Sequence, residues 1–142
     1  MTGTTTPPSL RKSKVVTAVL AVAGLSGIAI GSAILFAPLP FFSSTGVDLG
    51  DNPSLLSDIR GLGVLLLGVG ALTGVGAFVP RLAFTGALVG AVAFLGYVAA
   101  RALSIAVDGV PDSSILAAHA AELVLGLACL FVLMRYRTPR TS

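Results

Sequence analysis

The sequence predicts an all-α fold, a polytopic membrane protein built as an antiparallel bundle of four transmembrane helices. One observation is composition: 55% of the 142 residues are hydrophobic and the mean hydropathy is +0.98. Another is charge, since only 11% of residues are charged, against about 25% in soluble domains. Nine basic and six acidic side chains cannot cover the surface of a water-soluble fold, whereas hydrocarbon calls for an apolar exterior. The third is segmentation: the apolar residues fall into four runs, each close to the roughly 20 residues needed to cross a bilayer.

The first run, residues 15–37, is uncharged throughout, and Pro38 and Pro40 close it. At 23 residues it exceeds the roughly 7–15 residues of a signal-peptide core, so it is expected to stay in the membrane. The second, 54–79, opens on Asn52 and Pro53, a side-chain cap followed by a proline whose missing N–H costs nothing at the first helical position. Pro80 and Arg81 separate it from the third, 82–105, and Asp108, Gly109, Pro111 and Asp112 make the turn before the fourth, 113–134. Residues 1–14 and 138–142 lack apolar content and are expected to be disordered tails around a domain spanning 15–137. Between the first two helices, 38–53 is expected to be a short loop with Phe41 and Phe42 at the membrane interface.

Lysines and arginines set the expected orientation. Arg11, Lys12, Lys14, Arg81, Arg135, Arg137 and Arg140 all fall at one end of the alternating helices, whereas the other two connections carry Asp48, Asp51, Asp108 and Asp112. The positive-inside rule then places both termini on the cytoplasmic side of the inner membrane. The net charge of +3 reads as topology, because no basic stripe with interleaved aromatics suggests nucleic acid. Cys129 is the only cysteine, which excludes an internal disulfide, and it is expected to be an apolar packing residue.

Lipid tails are as apolar as leucine, so helices associate in a membrane through small residues that let backbones approach. Each run carries such a face at helical spacing: Gly24, Gly27 and Gly31 in the first, Gly63, Gly70 and Gly74 in the second, Gly86 and Gly90 in the third, Gly126 and Cys129 in the fourth. Charges interrupt the same runs. Arg60, Arg101 and Glu122 each fall by spacing on the small face of their helix, and a charge buried in hydrocarbon costs roughly 2.5–3.5 kcal/mol unless it finds a partner. Glu122 is therefore expected to pair with Arg60, Arg101 or both. Asp58 reads as a solvated carboxylate near a helix start, His119 sits one turn from Glu122, and the Tyr97 hydroxyl is within one turn of Arg101. Such a cluster serves either as an ion-pair lock between helices or as a polar pocket; with two arginines and one carboxylate the pocket would be net positive and suited to an anionic group.

Asp58-Ile-Arg60-Gly61-x-Gly63, Arg101-x-x-Ser104-x-x-x-Asp108-Gly109-x-Pro111 and Glu122 together resemble an uncharacterised bacterial family of four-helix membrane proteins, domain of unknown function 4345, similar in architecture to the DoxX group. The likeness runs from Val15 to Arg137, and Asp58 stands where the family often has glutamate. It implies fold and location. The association of DoxX-like proteins with redox enzymes or quinones implies a membrane accessory role and, by analogy, a quinone as a ligand to consider. No catalytic residue, metal site or resident cofactor is expected: there is no Walker loop, HExxH, GxSxG or dinucleotide fingerprint. The leading expectation is a non-enzymatic accessory or assembly component, partnered by the bilayer and by itself or another membrane protein. The alternative is a small-molecule, lipid or quinone binding or transport protein using the arginine and glutamate side chains.

Overall fold

The computed structural model describes residues 13–137; the two expected tails lie outside that range apart from Ser13 and Lys14. Lys14 opens α1 (Lys14–Phe36). A six-residue helix, α2 (Pro38–Ser43), follows where a loop was expected. Its prolines are compatible with helix because the first turn has no intrahelical use for their missing N–H groups. The long helix α3 (Pro53–Phe78) starts where Asn52 Oδ1 accepts from the backbone N–H groups of Ser54, at 3.0 Å, and Leu55, at 3.3 Å. A single 3-10 turn, Pro80–Leu82, leads into α4 (Ala83–Asp108). Gly109, at φ 104°, ends that helix in a conformation side chains rarely adopt. Last comes α5 (Ser113–Arg137), whose backbone starts by donating from Ile115 and Leu116 to the Asp112 carbonyl.

Four of these segments are long and apolar enough to cross a membrane. Many of their large apolar side chains point outward, among them Leu25, Val64, Val92 and Val124. An apolar exterior of this extent would aggregate in water and suits hydrocarbon. The chain is a multi-pass membrane protein.

The bundle consists of two pairs. α1 and α3 meet over the longest contact, through glycine against backbone. A methyl group built on Gly27 would approach Gly70 Cα to 2.8 Å, and one on Gly31 would approach the Gly63 carbonyl oxygen to 2.8 Å. Gly24 abuts Gly74 in the same manner. No side chain fits these positions without separating the helices, so the spacing of glycines sets the interhelical distance. The second pair is α4 with α5, where Gly126 accepts the Leu95 side chain. α3 joins α4 at the Arg81 end, where Gly76 and Gly86 face each other and Gly90 receives the fully buried Thr73 and Cys129. Leu20, Ala87 and Val132 complete the core at that end. Among the described residues the backbones of α3 and α5 do not approach each other, and the two pairs splay toward the α2 end.

Candidate functional site

Splaying of the two pairs leaves a cavity of about 470 Å³ in the half of the bundle nearest α2. Its volume lies in the roughly 300–1,000 Å³ range of small-molecule sites. Ile30, Ile34, Leu66 and Val69 wall it on the α1–α3 side, and Phe94, Ala118 and Ile115 on the α4–α5 side. Phe41 and Phe42 of α2 form its lid, their rings 5.4 Å apart in an edge-to-face arrangement.

Arg101 and Glu122 are the charged residues on this largely apolar wall. Arg101 Nη2 stands 3.6 Å from Glu122 Oε1, with the side chains 21% and 16% exposed. This is one long contact rather than the bidentate fork an arginine and a carboxylate can form. It leaves Arg101 Nε and Glu122 Oε2 buried without a hydrogen-bond partner. The Arg101 guanidinium also lies over the Tyr97 ring, 5.4 Å from its centroid, so the ring face, rather than the hydroxyl, meets the cation.

Helical rotation explains which charges meet. At about 100° per residue, Arg101 lies some 20° round α4 from Gly90, and Glu122 about 40° round α5 from Gly126; both charges share the stripe that faces inward. Arg60 is about 80° round α3 from Gly70 on the same geometry. Its side chain is exposed and absent from the cavity wall. Among the described residues no hydrogen bond or ion pair involves it. Its position within two turns of the helix start lets the long side chain reach toward the headgroups. Asp58 is likewise exposed. His119 is partly buried one turn before Glu122, with Nδ1 unpartnered.

Thr73 is a polar residue that reading by charge passed over. It is fully buried, lines the cavity floor, and its Oγ1 has no partner. The sequence signal was a lone hydroxyl inside an α3 run otherwise of glycine, alanine, leucine and valine. Ser104 and Asp108, both in the Arg101 motif, are local: Ser104 Oγ donates to Asp108 Oδ2 at 2.9 Å and ties the last turn of α4 ahead of Gly109. Among the described residues no group of three histidine, cysteine or carboxylate side chains is placed to hold a metal ion.

No curated protein and no solved structure gives a significant match to the chain. The profile of one family does match, over residues 15–133, and it covers all four membrane-spanning helices but the last turn of α5. On that match the chain belongs to the family described as Domain of unknown function (DUF4345).

Proposed function

We propose that this protein binds a small lipophilic molecule in the cavity between its two helix pairs, with both termini on the cytoplasmic side of the inner membrane. The observation that carries the reading is the coincidence of a largely apolar cavity with one guanidinium and one carboxylate, Arg101 and Glu122, that line it and meet each other only in a single long contact. A structural lock would be expected to close into the bidentate fork that an arginine and a carboxylate can form.

The test separates binding from bundle stability. Replacing both members of a buried ion pair by apolar residues of similar size is often neutral or stabilising by about 1–4 kcal/mol. The Arg101→Met/Glu122→Leu double variant is therefore expected to unfold no more easily than the parent. Native mass spectrometry of protein extracted in mild detergent should find a stoichiometric lipophilic molecule on the parent and none on the variant. A double variant that fails to accumulate, together with a bare parent protein, would assign the pair to holding the helices together.

A second reading, assembly with another membrane protein, draws on α5. Only 17% of its membrane-spanning window is buried, against 33% for α1, which leaves most of α5 for a neighbour. Photo-cross-linking from Val124 or Leu127, both exposed, tests it: a discrete protein adduct supports a partner, and lipid adducts alone count against one.

A further inference from the structure

We infer that the cavity fills sideways from the bilayer, through a mouth in the seam between α3 and α4 framed by Leu65 and Tyr97, and so takes a molecule already dissolved in hydrocarbon. The inference rests on the binding reading above and adds the source of the ligand and its route.

The seam is shut at one level and open at another. Near the Pro80–Leu82 turn, a methyl on Gly76 would stand 3.3 Å from Gly86 Cα, and one on Gly86 the same distance from Gly76 Cα. At about 100° per residue, Leu65 lies only some 20° round α3 from Gly76, and Tyr97 some 20° round α4 from Gly86. The two stripes that touch at the glycines therefore carry Leu65 and Tyr97 about 16 Å nearer the α2 end. There both side chains line the cavity, yet Leu65 is 64% and Tyr97 39% exposed. A side chain that walls a cavity and stays this exposed marks where the cavity is open. The α1 wall differs, for Ile34 lines the same space and is 3% exposed.

Depth decides what the mouth opens on. Leu65 follows the start of α3 by about 18 Å, and Tyr97 precedes the end of α4 by about 16 Å. Those distances put the mouth near the middle of a hydrocarbon core about 30 Å thick, where acyl chains and not water lie outside it. At the aqueous end, α2 and the stretch after it roof the cavity. Phe41, Phe42, Thr45 and Val47 line it from there, and a methyl on Gly46 would stand 3.8 Å from Asp112 Oδ2 at the start of α5. A molecule arriving from water has to lift this roof, whereas one dissolved in the membrane meets an opening at its own depth.

The experiment uses the full chain in phosphatidylcholine liposomes, mixed with vesicles that carry an alkylphenyl diazirine without a polar head. Photolysis at set times after mixing, with labelled residues mapped by mass spectrometry, gives the rate of filling, and dilution with empty vesicles gives the rate of release. Labelling of Leu66, Val69 and Phe94 on the cavity wall is expected to saturate, while that of Val124 on the exterior rises in proportion to the probe and reports its arrival. Leu65→Trp should slow filling and release alike, several-fold relative to Val124 labelling. Leu65→Ala, which removes an exposed side chain, should hasten both. Because affinity is the ratio of the two rates, half-saturation should barely move, a split that a residue acting only as cavity wall does not give. Val64→Trp, which points outward, should alter neither rate. Rates untouched by both Leu65 variants overturn the lateral route, and slowing by Val47→Trp in their place puts entry under α2. Absence of saturable labelling, in parent protein whose thermal unfolding is intact, overturns the binding reading itself.

Discussion

Asp112 shows how much of a helix start rests on one side chain. Its Oδ1 accepts from the Ser114 backbone N–H at 3.1 Å and from the hydroxyls of Ser113 and Ser114 at 3.3 Å. Chiefly through the Ser114 backbone N–H, these bonds hold its carboxyl below the usual carboxylate range. A carboxyl with a depressed folded-state pKa contributes stability above its unfolded value, about 3.9, and loses it as pH falls through the lower folded value. Protection of the Ser114 and Ile115 amides, taken relative to their intrinsic exchange rates, is therefore expected to be high at neutral pH and to fall below about pH 4. Asp112→Ala should show that low protection already at neutral pH, and Asp112→Asn, which also caps, should not. Reading single residues had unequal success at the charged cluster. Arg101 and Glu122 were legible because their rotation about the helix coincides with the glycine stripe. Arg60 was misplaced because steps of three and seven residues look like one face but accumulate to about 80°. Thr73 was missed because the search for polar groups followed charge, and a hydroxyl carries none.

Helices α1 and α3 form an interface in which the two sides are not equivalent. A methyl on Gly24 would collide with the Gly74 backbone, yet one on Gly74 would meet only Gly24 Cα, at 3.7 Å. Gly24→Ala is expected to cost about 1–3 kcal/mol, as overpacking does. Gly74→Ala should be neutral or stabilising by up to about 1 kcal/mol, because alanine loses less backbone freedom than glycine on entering a helix. Steric-trap or denaturant unfolding in bicelles measures both; equal effects would mean that the helices are farther apart than the glycines allow. Long elements were readable from hydropathy, proline and cap residues, since in a membrane the backbone must satisfy itself within each segment. The third helix was expected to end at 105 and ends at Asp108, because Ser104 and Asp108 bond to each other across its final turn. α2 was not readable, for two prolines in six residues count against a helix everywhere except in a first turn.

At the scale of the molecule, pairing of neighbours followed from short connections, but the cavity did not, since no residue pattern states how far α3 stands from α5. That distance is what remains after glycine has drawn α1 to α3 and Gly126 has drawn α5 to α4. The proposed orientation can be checked on the intact cell, because the only native thiol, Cys129, is fully buried and gives no background. A cysteine at Arg81 is expected to react with a membrane-impermeant maleimide only after lysis, and one at Gly109 before it. Reaction of both before lysis would refute an antiparallel four-span arrangement. Backbone contact between α1 and α3 also bears on biogenesis. Their interface draws on nothing synthesised after Phe78, so a nascent chain can dock its first hairpin while the rest is still inside the ribosome. A fragment stopped after Val79 should already migrate as a protease-resistant unit, and the later helices would close against a finished scaffold.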